Sequence, residues 1–71
     1  MEPTTREIAQ LLRKANACLD GARYGEALEN TARLLTIAPN DYFALTTHAT
    51  ALRRAGRVPE AVKFFVAAFA H

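Results

Sequence analysis

The sequence is short of the residues that hold small domains together by covalent bonds or metal ions. Cys18 is the only cysteine among the 71 residues, so neither an intrachain disulfide nor a cysteine-rich zinc site can form. A single free thiol favours a reducing compartment. Because a chain of this length buries only about 60% of its unfolded surface, its stability has to come from close packing or self-association.

Long apolar runs and an excess of one charge are also missing. The longest apolar stretch, residues 64–70, is far too short to cross a bilayer. The first residues include Glu2 and Pro3 rather than the basic and apolar segments of a secretory signal. Nine Lys and Arg against seven Asp and Glu give a formal net charge of +2, and the basic residues are scattered. These features predict a cytoplasmic protein with neither a nucleic-acid nor a membrane partner.

Glycine and proline divide the chain into four segments in which apolar residues recur three and four positions apart, as on one face of a helix. The first helix is predicted over about residues 4–20, with Thr4 and Glu7 forming a capping box. Gly21 is expected to end it in the left-handed conformation. The second helix is predicted from Tyr24 to about residue 38, just before a proline.

The two remaining helices have similar boundary signals. Asn40 and Asp41 offer a cap for a third helix that runs to about Ala55 and ends at Gly56. Pro59 suits the first turn of a fourth helix, which continues to the chain end. No segment alternates with the period of a β-strand. The sequence therefore predicts an all-α fold of four helices, in which short connections make successive helices antiparallel neighbours.

The second half of the chain superposes on the first without an insertion when Leu45 is set on Leu11. Helix-turn-helix units with this period, about 34 residues, resemble the tetratricopeptide repeat (TPR) family. Lys14 and His48, however, stand where the family has leucine. The resemblance implies two antiparallel hairpins stacked as a short TPR-like α-solenoid, a single domain with repeats over about 8–41 and 42–71. The second repeat lacks a C-terminal capping helix. The other main matched pairs are Ala15 and Ala49, Cys18 and Leu52, and Ala27 and Ala61.

No group of residues predicts catalysis. His48 lies inside the third helix, His71 is the last residue, and Cys18 is on an apolar face where a buried thiol is inert. Asp41 is explained as a helix cap. We therefore expect no catalytic, metal-binding or cofactor-binding residues and no enzymatic activity.

Binding is what the family resemblance implies instead. The first helices of successive hairpins line a concave groove that receives a peptide or a partner helix. Arg13 and Asn16 match positions with which one subclass of the family holds a terminal carboxylate, whereas Leu12 and Thr47 do not match that subclass. Carried over by position, the groove residues are Leu12, Arg13, Asn16, Phe43, Thr47, Thr50, Arg53 and Arg54.

The fourth helix has more apolar residues than one buried stripe can hold. Three explanations stay open: the chain is part of a longer array, it forms a homo-oligomer such as a dimer, or a helix of another protein covers the excess. The sequence thus predicts a protein-interaction module, with a self-associating structural unit as the alternative. The predicted association face consists of Val62, Phe64, Phe65, Val66 and Phe69.

Overall fold

The computed structural model describes residues 5–70, and the described part consists of four α-helices with no strand. The all-α prediction is confirmed, with helix boundaries within about two residues of those expected. The predicted cap at Thr4 and the end at His71 lie outside the described residues. The helices are α1 (Thr5–Asp20), α2 (Tyr24–Ile37), α3 (Tyr42–Arg54) and α4 (Val58–Phe69).

The helices form two hairpins that are stacked side by side. Within the described range α1 packs against α2, α3 packs against α4, and α2 joins the hairpins by packing against α3. The first helix also contacts α3, whereas α4 packs only against α3 in this part of the chain. A closed four-helix bundle would bring α1 and α4 together. The Cα atoms span 35 × 29 × 14 Å, which is the flat shape of an open stack.

Equivalent backbone hydrogen bonds close the first helix of each hairpin. The Arg23 N–H donates to the Cys18 carbonyl at 2.7 Å, and one repeat later the Arg57 N–H donates to the Leu52 carbonyl at 2.8 Å. A second bond, from residue 22 to residue 19 and from residue 56 to residue 53, completes a Schellman motif in each turn. The two turns therefore have the same geometry.

The left-handed residue in the first of these turns is Ala22, with φ of 58°, and in the second it is Gly56, with φ of 86°. The prediction that Gly56 takes this conformation is confirmed, whereas the same prediction for Gly21 is wrong. The hydrogen-bond register is the physical reason. In a Schellman motif, the residue whose N–H makes the shorter-range of the two hydrogen bonds is left-handed. Here the Ala22 N–H donates that bond to the Leu19 carbonyl.

The start of α3 and the start of α4 follow their sequence signals. One carboxylate oxygen of Asp41 accepts a hydrogen bond from the Ala44 N–H at 2.9 Å, so Asp41 is the cap of α3. Pro59 lies in the first turn of α4, where a backbone N–H has no partner within the helix.

The core is built largely from small residues. Ala49 and Ala61 pack together with Leu52 inside the second hairpin. Ala51 of α3 packs against Cys18 and the rest of a cluster from α1 and α2, which fixes the second hairpin on the first. Small side chains let the helices approach closely, as the sequence predicts for the crossing within each hairpin. The alanines at these crossings, all at most 1% exposed, are Ala15, Ala27, Ala49 and Ala61.

Candidate functional site

A polar pair joins α2 and α3 and consists of the buried Thr31 and the half-buried His48. The hydroxyl of the fully buried Thr31 lies 2.6 Å from His48 Nδ1. The same hydroxyl is 3.0 Å and 3.2 Å from the carbonyl oxygens of Ala27 and Leu28 in its own helix. The His48 ring packs edge-on against Phe64, with 4.5 Å between the ring centroids. His48 of α3 thus contacts both α2 and α4, and these contacts give it a structural role.

Burial lowers the pKa of His48 below its usual value of 6.5, and the positive charge of Arg57 lowers it further. The carboxylate of Glu60, which accepts two hydrogen bonds of 3.0 Å and 2.7 Å from Arg57, raises the pKa of His48 and opposes this shift only in part. The fold therefore favours the neutral imidazole.

The other chemically reactive side chain, Cys18, is buried in the core of the first hairpin. Its Sγ atom lies 3.9 Å from Glu26 Oε2 and 4.0 Å from Asn30 Nδ2. Over residues 5–70, no three His, Cys, Asp or Glu side chains lie close enough together to hold a metal ion.

The predicted groove residues lie on α1 and α3, which are in contact. Their side chains differ in exposure, and α1 and α3 enclose no pocket in the described part of the chain. The Thr50 hydroxyl donates to the Thr46 carbonyl of its own helix at 2.8 Å. A peptide-binding role for the set stays a prediction. Leu12, Thr47 and Thr50 are half-buried, whereas Arg13, Asn16, Phe43, Arg53 and Arg54 are exposed.

The predicted association face divides into two parts. Phe64 and Phe65 are half-buried and pack against the cluster of Ala49, Leu52 and Ala61, so they belong mainly to the interior of the second hairpin. The other three residues lie outside that cluster and are strongly exposed. The exposed fractions are 52% for Val62, 63% for Val66 and 71% for Phe69.

Two further residues extend the exposed part. Val58 is 49% exposed and lies one helical turn before Val62 on the same face of α4. Tyr42 is 48% exposed, and its ring lies 6.1 Å from that of Phe69 and 5.5 Å from that of Phe43. The large apolar residues exposed in the described part all belong to the second hairpin. We call them the apolar strip: Tyr42, Phe43, Val58, Val62, Val66 and Phe69.

The first hairpin shows how the equivalent face of α2 is covered. Leu28, one repeat before Val62, is half-buried and packs against the cluster that contains Ala49 and Leu52 of α3. Tyr24 and Leu35 precede Val58 and Phe69 by the same interval and are also half-buried. Ala32, one repeat before Val66, stays exposed on α2. The part of α2 that α3 covers therefore corresponds to Val58, Val62 and Phe69, and this part is open on α4.

Comparisons of the chain with protein-family models, with curated proteins and with solved structures find no match. The tetratricopeptide resemblance accordingly stays a prediction drawn from residue spacing. None of the four described helices has the length and apolar character needed to span a membrane.

Sequence reasoning missed two members of the apolar strip, Tyr42 and Val58. The signal for Val58 was present, because it stands four residues before Val62 and eight before Val66, on one face of a helix. Tyr42 had no such signal. It joins the strip only because the stacking of α3 on α4 places its ring beside Phe69.

Proposed function

We propose that this chain is a non-catalytic protein-interaction module of two tetratricopeptide-like hairpins that binds a partner helix through the apolar strip. The observation that carries the proposal is that the exposed large apolar residues of the described chain lie together on one hairpin. Contiguous apolar surfaces of this kind are typical of protein interfaces.

The size of the strip supports this proposal. For side chains of this size, the exposed fractions correspond to roughly 600 Å² of apolar surface, the upper end of what an ordinary monomer exposes. Covering that area stabilises a complex by about 15 kcal/mol before the cost of association, which is itself about 4–15 kcal/mol. The difference between the free energy of burial and the cost of association is sufficient for specific binding only when most of the strip is covered.

The packing of α3 on α2 suggests the form of the partner. A partner helix can lie along α4 as α3 lies along α2, where Leu28 packs against the cluster that contains Ala49 and Leu52. In this proposal the predicted groove on α1 and α3 is a second surface for a peptide, and the exposed Phe43 belongs to both surfaces.

The proposal also includes a cytoplasmic location. Its support is a single unpaired cysteine, which is buried in the first hairpin and would persist as a thiol in a reducing compartment.

A synthetic peptide of residues 42–54, the sequence of α3, tests the proposed surface. Fluorescence anisotropy of the labelled peptide should show saturable binding to the full chain. Val62→Glu should weaken this binding at least tenfold, because its equivalent on α2, Leu28, is the residue that packs against the cluster with Ala49 and Leu52 of α3. Ala32→Glu is the control, since Ala32 is an exposed residue of α2 that lies outside the strip. Equal binding by parent and Val62→Glu would show that the strip is not the contact surface.

The alternative function is a structural unit that associates only with itself. The observation that supports it is the nearly symmetric order of Val58, Val62, Val66 and Phe69 along α4.

A further inference from the structure

We infer that the partner helix is α4 of a second copy of this chain, and that the two copies pair antiparallel about a two-fold axis that passes between Val62 and Val66. This inference rests on the proposed function, because it names the occupant of the apolar strip.

The exposed apolar residues of α4 have nearly the same spacing whether they are counted from the N-terminal or from the C-terminal end of the helix. Val58, Val62, Val66 and Phe69 are separated by four, four and three positions and share one face of the helix. Antiparallel pairing about the proposed axis sets Val62 opposite Val66 of the second copy. It also sets the small Val58 opposite the large Phe69 of that copy. Large residues opposite small ones are the arrangement that fills a helix interface without voids.

The other way to stack two copies, with α1 of one against α4 of the next, is disfavoured by the outer face of α1. In α3 the residue at position 44 is a fully buried alanine, and its equivalent one repeat earlier is the exposed Gln10. His48, which contacts α2, is matched by the exposed Lys14. Stacking α1 on α4 would bury an amide and an ammonium group among valines. The copies are therefore expected to form a closed pair and not an open filament.

The area of the strip meets the lower limit for a stable dimer. Complete covering of both strips, with Tyr42 and Phe43 of α3 included, would bury roughly 1,200 Å² in total, at the low end of specific protein interfaces, and the four α4 residues supply about two thirds of it. No strip residue is charged. Glu60, the acidic residue of α4, is already held by Arg57 outside the strip, so the pairing leaves that ion pair in water.

Sedimentation equilibrium of the full chain, from nanomolar to submillimolar concentration, tests the pairing. We expect the mass to rise from one chain to two and to stop there. Val66→Glu should remain a single chain throughout, and Ala32→Glu should pair like the parent. Circular dichroism shows whether the two variants are folded. We expect both to fold, because both sites are exposed.

Disulfide cross-linking tests the orientation. With Cys18→Ala as background, a chain with Val62→Cys and Val66→Cys should form a disulfide-linked pair upon oxidation, since each new thiol faces the other thiol of the second copy. Ala32→Cys in the same background should remain uncross-linked. Failure of the double variant to cross-link while the parent forms pairs would overturn the antiparallel arrangement.

The remaining outcomes separate this inference from the proposed function. A chain that stays single at every concentration but binds the 42–54 peptide overturns self-pairing and leaves the interaction module standing. A single chain that does not bind the peptide overturns both. A mass that continues to grow beyond two chains would indicate head-to-tail stacking and would overturn the closed pair.

Discussion

At the scale of single residues, Ala22 has a strained backbone, since within residues 5–70 it is the residue with a side chain that has a positive φ. Its φ of 58° brings Cβ close to the following carbonyl oxygen, a cost of about 1–2 kcal/mol for a residue with a side chain. The equivalent residue of the second hairpin, Gly56, has no Cβ. We therefore expect Ala22→Gly to raise the free energy of unfolding by about 1 kcal/mol, measured by urea denaturation.

Two variants serve as controls for this prediction. Gly56→Ala should lower the free energy of unfolding by a similar amount, because it introduces the same strain at φ of 86°. Gly21→Ala should have little effect, since its new Cβ would lie 3.4 Å from the flexible end of Arg23 and no closer to other atoms. A neutral Ala22→Gly would contradict the strain at this position.

The sequence could not distinguish Gly21 from Ala22 as the left-handed residue. Glycine is the usual residue there, so a glycine next to the helix end is the natural choice. The structure selects Ala22 because the N–H of Arg23 reaches the Cys18 carbonyl, and this bond fixes the register of the turn.

At the scale of helices, His48 of α3, which contacts Thr31 of α2 and Phe64 of α4, makes stability depend on pH. Its pKa in the folded chain is below the unfolded value of 6.5, so the unfolded chain binds more protons near and below that pH. The contribution of His48 to the free energy of unfolding is therefore complete above pH 6.5 and is lost as the pH decreases below it. Arg57 and Glu60 are the charged groups that act on the ring, with opposite signs.

His48→Leu should flatten this dependence between about pH 7 and pH 5, where histidine titrates. Thr31 keeps its hydrogen bonds to the Ala27 and Leu28 carbonyls in this variant, so no buried hydroxyl loses its partner. Urea denaturation at a series of pH values measures the effect. Lys14→Leu, the equivalent change one repeat earlier on the exposed face of α1, should keep the parental pH dependence. A parallel loss of stability in parent and His48→Leu would exclude His48 as its source.

Helix boundaries were predictable, whereas the rotation of α4 was not. Pro39, Asp41 and Gly56 act on the backbone locally, and α2 and α3 begin and end within a residue or two of the positions they indicate. Both sides of α4 are apolar, so periodicity alone does not decide which side faces α3. The structure turns Phe64 and Phe65 inward, and packing against the cluster that contains Ala49 and Leu52 of α3 is the reason.

At the scale of the whole molecule, the open stack follows from a property that the sequence does carry. Small residues recur at the interval of the repeat, and they allow close crossings in both hairpins. The residues that contact the exposed side of α4 are harder to predict from the sequence, because such contacts join residues that are far apart in the chain. Tyr42 shows this: only the stacking of α3 on α4 brings it to Phe69.

Self-pairing also predicts how the whole molecule unfolds. Because a second copy binds the folded chain and not the unfolded one, pairing stabilises the fold in proportion to the logarithm of concentration. For a domain of this size, Tm should rise by about 5 °C for each tenfold increase in concentration over the range in which pairs predominate. Val66→Glu should abolish the rise, and Ala32→Glu should leave it unchanged. Differential scanning calorimetry at several concentrations measures Tm. A Tm that is constant in the parent chain across the range in which pairs form would mean that the apolar strip does not contribute to its stability.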